Sequence, residues 1–234
     1  ARAEGPYIYD KQGKRYLEGM AGLWCTALGY GNEEIIEAAE RQMRELSFSH
    51  MFGGKTHSSA IELADKLAAM VPMQDGRVFL GNSGSDANDT LLKLIRYHAE
   101  ASGQPNRIKV IAREQGYHGV TLASAALTAI PTNHAHFQLP FEALGVLRTG
   151  SANYYRGAND GESEADFVAR RAQELEALIL AEGPETIAAM IAEPVSGAGG
   201  VIVPPEGYFE AIQTVLDRYG VWLWDDEVIC GFGR

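Results

Sequence analysis

Three consecutive acidic residues, Asp225, Asp226 and Glu227, follow the apolar run at residues 221–224 near the end of the chain. An apolar run of this kind is typical of a buried strand, and a carboxylate at its end is costly to bury unless it is paired. A protonated heteroaromatic nitrogen is a natural partner; a metal-ligand set and a solvated acidic turn are the alternatives. Metal sites usually include His or Cys, and the DDEV motif contains neither, so we expect no metal site here.

A glycine-rich turn, GNSGSDANDT at residues 81–90, follows a second apolar run and begins a helical pattern. Exposed backbone N–H groups and the helix dipole make such a turn an anion site, and Ser83 and Ser85 add hydroxyl donors. A tight strand–helix turn with a Ser or Asp cap is the alternative. Neither GxxxxGK[ST] nor GxGxxG is present, which argues against a mononucleotide or NAD site.

Two further motifs follow predicted strands. QGYHG at residues 115–119 places Tyr117 where it could stack on a flat ring, although a plain loop with one packed aromatic is the alternative. EPVSGAGG at residues 193–200 begins with Glu193, which could orient a ligand group or pair with a neighbouring cation.

The four motifs together describe one ligand. It has a phosphate for the glycine-rich turn, a flat ring for Tyr117 and a basic ring nitrogen for Asp226. Pyridoxal phosphate has all three, and its protonated ring needs an acidic partner. The sequence therefore predicts pyridoxal 5'-phosphate as the cofactor.

Alternating elements position these motifs. Strands alternating with helices indicate a mostly parallel sheet with helices on both faces, and ligands of such sheets collect at the carboxyl ends of the strands. Residues 7–19 predict an antiparallel hairpin, and residues 131–162 predict a long surface excursion. The predicted strands cover residues 77–80, 107–112, 186–192 and 221–224, and the predicted helices cover residues 32–46, 58–70, 164–181 and 208–219, with another after the glycine-rich turn.

Composition and charge argue against several classes of protein. Hydrophobic residues make up 46% of the 234 residues, which suits a soluble globular fold. Acids outnumber Lys plus Arg by 31 to 20, so we expect no nucleic-acid partner. No apolar run is long enough to span a membrane, and we expect no membrane partner. Only two cysteines occur, far apart, so we expect no disulfide framework and a cytoplasmic location.

The segments NSGSDANDT, YHG, EPVSGAGGVIVPP and DEVICGFGR, in that order and spacing, resemble the class III pyridoxal-phosphate aminotransferases. Within them the chain is most similar to ω-aminotransferases that use pyruvate as amino acceptor. The resemblance covers nearly the whole chain. It implies the aspartate-aminotransferase-type fold (fold type I), with a small-domain segment at residues 1–50 and a large cofactor-binding domain at residues 51–234, incomplete at its C-terminal end.

The resemblance also implies roles for residues around the cofactor. Gly84 and Ser85 would hold its phosphate, Tyr117 would stack on its ring beside His118, and Val228 would pack on the opposite face. The full predicted cofactor set is Ser83, Gly84, Ser85, Tyr117, His118, Glu193, Asp226 and Val228.

At the ring nitrogen, the resemblance implies that Asp226 pairs with the pyridinium and that Glu193 lies near the ring hydroxyl and helps to fix Asp226. Asp225 would have no cofactor role, and the family usually has a small residue there. Trp24, and with it Phe52 and Tyr117, would line the substrate pocket, which suits aryl amines, diamines or ω-amino acids.

The implied reaction moves an amino group from an amine or ω-amino acid to a 2-oxo acid, within a homodimer. The family's catalytic lysine, which forms the Schiff base with the cofactor, is expected beyond Arg234, so the chain alone is not expected to turn over. The alternatives are an aminomutase, epimerase or decarboxylase on the same fold, a non-catalytic truncated chain, and an unrelated nucleotide or metal enzyme.

Overall fold

The computed structural model describes residues 1–73 and 75–233, and it contains two compact units that divide between Leu80 and Gly81. The predicted boundary between residues 50 and 51 separates the small-domain segment from the cofactor-binding domain, and it stays a prediction. The first unit contains β1 (Arg2–Glu4), β2 (Tyr7–Tyr9), β3 (Arg15–Leu17), a distorted turn α1 (Ala21–Trp24), α2 (Glu33–Leu46) and α3 (Ser58–Met70).

The predicted hairpin in the first unit is confirmed. Strands β1, β2 and β3 form an antiparallel sheet in that order. The Asp10 carboxylate closes the turn between β2 and β3, because one of its oxygens accepts the backbone N–H groups of Gln12 and Lys14, both at 2.9 Å. Helix α2 has the predicted N-cap, Asn32, whose side chain accepts the Ile35 N–H at 3.2 Å.

The second unit is a four-stranded parallel sheet in the order β5-β4-β6-β7, flanked by helices. The predicted parallel sheet is therefore confirmed. Its elements are α4 (Gly84–Ala101), β4 (Lys109–Arg113), α5 (Leu122–Leu127), α6 (Phe141–Leu144), β5 (Val146–Thr149), α7 (Tyr154–Gly157), α8 (Glu164–Glu182), β6 (Ile187–Ala192), α9 (Tyr208–Tyr219) and β7 (Trp222–Asp225), with 3-10 turns at Pro131–Asn133, Pro184–Thr186 and Gly231–Gly233.

The sheet is buried on both faces. Every residue of β6, with the sequence IAAMIA, is buried, as expected for a central parallel strand. Along β4, Ile111 packs with α8 and α9 on one face, whereas Val110 and Ala112 pack with α4 and Leu127 on the other. This alternation fixes the strands between two helical layers, so their carboxyl ends meet at one edge.

Two predictions about the elements are wrong. Residues 77–80 do not form a strand, because no strand among the described residues pairs with them, and an unpaired apolar segment lacks the ladder hydrogen bonds that define a strand. The region 131–162 is not only a surface excursion, because it contributes β5, which pairs with β4 from Val146 to Thr149. The run VLRT has only four residues and two of them are polar, so it lacks the apolar pattern by which the other strands were predicted.

Helix α8 begins at the predicted cap. The Ser163 hydroxyl accepts the Asp166 N–H at 3.2 Å and donates to Asp166 Oδ2 at 2.7 Å, so each residue satisfies a polar group of the other.

We expect Ser163→Ala to lower the free energy of unfolding by about 1 kcal/mol, since it removes the acceptor for an unpaired helix N–H. Ser163→Asn keeps an acceptor and should lose less. Urea denaturation of the three chains measures the difference, and equal midpoints for Ser163→Ala and the parent would contradict the role of the cap.

Candidate functional site

A cavity of about 140 Å³, partly open to solvent, lies within the second unit at the carboxyl ends of the parallel strands. All eight residues of the predicted cofactor set line it, so the structure brings the four sequence motifs together. The lining consists of Ser83, Gly84, Ser85, Tyr117, His118, Gly119, Glu193, Asp226, Val228 and Ile229.

The beginning of α4 presents backbone donors to this cavity. Ser83 caps the helix by accepting the Asp86 N–H at 3.1 Å. Within the part of the chain that the structure describes, the N–H groups of Gly84 and Ser85 have no acceptor. A Cβ at Gly84 would lie 2.7 Å from Val228 Cγ2, so a larger residue at this position would displace the Val228 side chain. Two free amides at the positive end of an 18-residue helix can bind an anion.

The loop after β4 closes over the first turn of α4. Gly119 has φ +128°, and a Cβ there would overlap Ser85 Oγ and lie 2.8 Å from Ser124 Cβ. The next backbone N–H, that of Val120, donates to Ser85 Oγ at 3.0 Å. Because the Ser85 oxygen accepts this bond, its own hydrogen remains available for donation.

The Asp226 carboxylate is buried and held by donors from distant parts of the chain. Its Oδ2 accepts from His118 Nδ1 at 2.8 Å and from Asn88 Nδ2 at 3.0 Å, and its Oδ1 lies 3.3 Å from the Val228 N. Burial acts to raise the pKa of Asp226, but the hydrogen bonds from His118 and Asn88 more than offset it and hold that pKa below its ordinary value. Asp226 is therefore ionised at neutral pH.

His118 is fully enclosed beside Asp226. A carboxylate can only accept, so the short contact places the histidine proton on Nδ1. The backbone N–H of His118 donates to Thr128 Oγ1 at 2.8 Å, which fixes the ring's position. Its Nε2 is buried and lacks a hydrogen-bond partner among the described residues.

Asn88 was missed by the sequence analysis. Its Nδ2 donates both to Asp226 Oδ2 and to the backbone carbonyl of His118, the latter at 2.7 Å. Both partners are acceptors, so this orientation of the amide is the one that satisfies both contacts. Helical spacing could have found it, because Asn88 lies four residues after Gly84 and therefore on the same face of α4.

Glu193 is buried at the end of β6. Its Oε1 accepts the Tyr117 N–H at 3.0 Å, and its Oε2 accepts the Gly197 N–H at 2.9 Å. Burial raises the pKa of Glu193 in spite of these two bonds. Its side chain thus joins the loop that carries Tyr117 to the turn after β6.

Arg113 was also missed, because the predicted strand ended one residue before it. It is 1% exposed, and its Nη2 donates to the Glu193 carbonyl at 2.6 Å and to Ser196 Oγ at 2.9 Å. Arg113 lies at the carboxyl end of β4, and these two bonds hold the start of the loop that follows the neighbouring strand β6 and contains Glu193.

Asp225, next to Asp226, does not line the cavity. Desolvation of its carboxyl group and a hydrogen bond with Glu227 raise the pKa of Asp225 to about 7. The charges of Glu227 and Asp226 add to the shift, and Arg113 opposes it. Two neighbouring carboxyls, Asp225 and Asp226, thus have opposite pKa shifts because their environments differ.

Two of the predicted substrate residues lie in the first unit. Trp24 is half-buried with φ +62°, and the Phe52 side chain is 83% exposed. Their place in a substrate pocket stays a prediction. Among residues 1–73 and 75–233, no three His, Cys, Asp or Glu side chains are grouped as metal ligands would be, and no helix combines the length and apolar character needed to cross a bilayer.

Comparisons with known proteins agree on one family. The family model described as aminotransferase class-III matches residues 1–234. The chain is 50% identical over 234 residues to the probable gamma-aminobutyrate transaminase 2, mitochondrial, of Oryza sativa subsp. indica, covering 100% of this chain and 47% of that protein. It is 49% identical to the gamma aminobutyrate transaminase 1, mitochondrial, of Solanum lycopersicum, covering 100% and 45%.

Solved structures give the same result. The omega transaminase from Pseudomonas jessenii in complex with PMP matches with a TM-score of 0.97 and 53% identity, covering 100% of this chain and 51% of that one. A structure described as a transaminase with L-ala matches with a TM-score of 0.97 and 52% identity, covering 100% and 55%. The chain spans about half the length of the curated relatives it matches.

We expect Gly119→Ala to lower the free energy of unfolding by about 1–3 kcal/mol beyond Gly200→Ala. The two glycines have φ values of +128° and +125°, but a Cβ at Gly200 meets nothing within 4 Å, whereas one at Gly119 meets Ser85 and Ser124. The matched pair therefore separates the steric contact from backbone strain. Denaturant unfolding measures both, and equal losses would show that the close approach of Gly119 to α4 is not required.

We expect Asp225→Asn to stabilise the chain increasingly as the pH rises. The folded pKa of Asp225, about 7, lies above its ordinary value of 3.8, so the folded state holds the proton more tightly and loses relative stability as the pH rises through this window. The variant lacks this loss, so its advantage should be absent near pH 4 and complete above about pH 7. Urea midpoints measured across this range test it, with exposed Asp160→Asn as the control; a pH-independent difference would contradict the raised pKa.

Proposed function

Because the chain belongs to the class III aminotransferase family, we propose that the protein is a pyridoxal-phosphate-dependent aminotransferase. The likeness to solved transaminases also confirms the predicted fold type I architecture. The proposed reaction transfers an amino group from an amine or ω-amino acid to a 2-oxo acid, with pyruvate as acceptor, in a homodimer. The proposal rests mainly on one observation: the same cavity is lined by the backbone donors at the start of α4, the Tyr117 ring and the ionised Asp226 carboxylate.

The cavity suits the phosphate end of this cofactor. The backbone N–H groups of Gly84 and Ser85 and the Ser85 hydroxyl are donors at the N-terminus of α4. They are fixed before any ligand arrives, because Ser83 caps the helix and Val120 holds the Ser85 oxygen. A phosphate would be bound there mainly by preorganised backbone donors, which is consistent with a chain of net charge −11.

The cavity also suits the ring end. Tyr117 and Val228 both line it, and an aromatic ring and a β-branched side chain can enclose a flat heterocycle between them. Asp226 would hold a proton on the ring nitrogen, since its lowered pKa keeps it anionic at neutral pH. When bound, pyridoxal phosphate supplies an electron sink that stabilises negative charge developing beside the substrate nitrogen.

The orientation of Asp226 follows from its neighbours. His118 and Asn88 donate to Oδ2, whereas Oδ1 has only the long contact with the Val228 N. Oδ1 therefore retains the acceptor capacity that a protonated ring nitrogen needs. The role of His118 in this proposal is to hold the carboxylate ionised and oriented, with the buried Nδ1 proton directed at Oδ2.

The names of the relatives support the proposed substrates. Two curated relatives are named gamma-aminobutyrate transaminases, and one solved relative is described as an omega transaminase. An ω-amino acid such as 4-aminobutyrate is therefore the first donor to test. The catalytic lysine that the resemblance places beyond residue 234 is part of this proposal.

We expect Asp226→Asn to weaken binding of pyridoxal phosphate by about tenfold or more, because a charge-assisted hydrogen bond becomes a neutral one. Titration of the chain with the cofactor, followed by absorbance, measures the dissociation constant. Asp225→Asn is the matched control, since it makes the same change one residue away and outside the cavity. Equal dissociation constants for the parent and Asp226→Asn would contradict the proposed ring-nitrogen contact.

Turnover is tested separately with the protein, pyridoxal phosphate, 4-aminobutyrate and pyruvate, by measuring alanine. Alanine that forms only with all components supports the proposed reaction. The assay uses the whole protein, because residues 1–234 alone are not expected to turn over. A whole protein that binds the cofactor but forms no alanine with any ω-amino acid or amine would favour another class III reaction, such as an aminomutase, epimerase or decarboxylase.

A further inference from the structure

Asp89 lies on α4 within the GNSGSDANDT motif but does not line the cavity. Its Oδ1 accepts three hydrogen bonds: from Thr121 Oγ1 at 2.7 Å, from Ser124 Oγ at 2.8 Å and from the Ser124 N–H at 3.1 Å. Three donors on one carboxylate oxygen, all from the segment after Gly119, make Asp89 the centre of a small network between α4 and α5.

Asp89 caps α5 from outside that helix. Thr121 occupies the N-cap position of α5, but its hydroxyl makes no capping bond and donates to Asp89 instead. The Ser124 N–H, which an N-cap side chain would ordinarily bind, is bound by Asp89 Oδ1. The position of α5, and of the loop that enters it, therefore depends on a side chain of α4.

The same loop holds the anion donors. Between the His118–Asp226 contact and the α5 cap, the chain passes Gly119 and Val120, and the Val120 N–H donates to Ser85 Oγ at 3.0 Å. The buried Ser124 Oγ also lies 3.1 Å from the Ser85 carbonyl oxygen, so its one hydrogen is shared between that carbonyl and the closer Asp89 Oδ1 at 2.8 Å. Asp89 does not contact Ser85 itself, but it binds Thr121 and Ser124, which flank the Val120 and Ser124 contacts to Ser85.

We propose that Asp89 is a positioning residue for the phosphate end of the cavity, an inference that rests on the proposed function. It acts through Ser124 and Val120 to orient the Ser85 hydroxyl as a donor into the cavity. The contribution comes from the acceptor geometry of Asp89 and not from its charge, since a negative charge near a bound phosphate is unfavourable.

The test compares two ligands in each variant: pyridoxal phosphate and pyridoxal, which lacks the phosphate. The ratio of their dissociation constants measures the preference for phosphate, and any loss of folded protein cancels from the ratio because it affects both ligands equally. We expect Asp89→Ala to reduce this preference about tenfold, the change expected when a hydrogen bond to a charged group is lost.

Two matched variants separate the causes. Asp89→Asn keeps an oxygen that can accept the three bonds, so it should retain the preference of the parent or increase it. Glu100→Ala removes the same charge from the exposed end of the same helix and should leave the ratio unchanged. If Asp89→Ala does not fold, Thr121→Val removes one of the three donors and should reduce the preference by a smaller factor.

The outcomes distinguish this inference from the function on which it rests. A parent chain that binds pyridoxal phosphate no better than pyridoxal would contradict the proposed phosphate site itself. A parent with a clear preference that Asp89→Ala retains, or that Asp89→Asn loses as completely as Asp89→Ala, would leave the proposed function standing and overturn the positioning role.

Discussion

The buried carboxylate of Asp226 is the interaction on which the rest of the site depends. An ionised carboxylate that is removed from water is strongly destabilising unless donors surround it. Its donors come from α4 through Asn88, from the loop after β4 through His118, and from its own turn through the Val228 N–H. Asn88 and His118 lie 138 and 108 residues away in sequence. A compact conformation that separates these segments would leave the buried Asp226 charge without donors, which costs free energy. The arrangement that forms the cavity is therefore favoured over such conformations.

Three acids at the carboxyl edge of the sheet show how environment divides their roles. Asp226 has a lowered pKa because hydrogen bonds from His118 and Asn88 outweigh its burial. Glu193 has a raised pKa because its burial outweighs two backbone hydrogen bonds. Asp225 also has a raised pKa, first because its carboxyl group is partly desolvated and second because it lies close to Glu227. Their positions in the sequence do not distinguish the three acids. The hydrogen bonds that each carboxylate accepts decide which of them stays ionised at neutral pH and can hold a proton on a ligand.

Much of the fold and the site could be predicted because the relevant signals are local. Short apolar runs and helical periods predicted the parallel sheet, and the four motifs that contain Gly84, Tyr117, Glu193 and Asp226 predicted the lining of the cavity. The failures share a cause. The strand expected at residues 77–80, the unrecognised β5 and the missed roles of Asn88 and Arg113 all depend on partners far away in sequence. Strand pairing and buried polar contacts are tertiary properties: helical spacing could have placed Asn88 on the same face as Gly84, but no local pattern specifies its partners.

Helix α4 explains why Asn88 and Asp89, two residues without an assigned role in the sequence analysis, lie within the recognised GNSGSDANDT motif. Asn88 and Asp89 are neighbours, and because a helix turns about 100° per residue they point in different directions. Asn88 contacts the carboxylate at the ring-nitrogen end of the cavity, whereas Asp89 contacts the segment that orients Ser85 at its anion end. Helix α4 thus carries a residue that supports each end of the cavity, Asn88 at one end and Asp89 at the other. Its rigidity sets the distance between these two residues. A ligand that must place a phosphate and a basic nitrogen at a fixed separation would be selected by that helix before any substrate arrives.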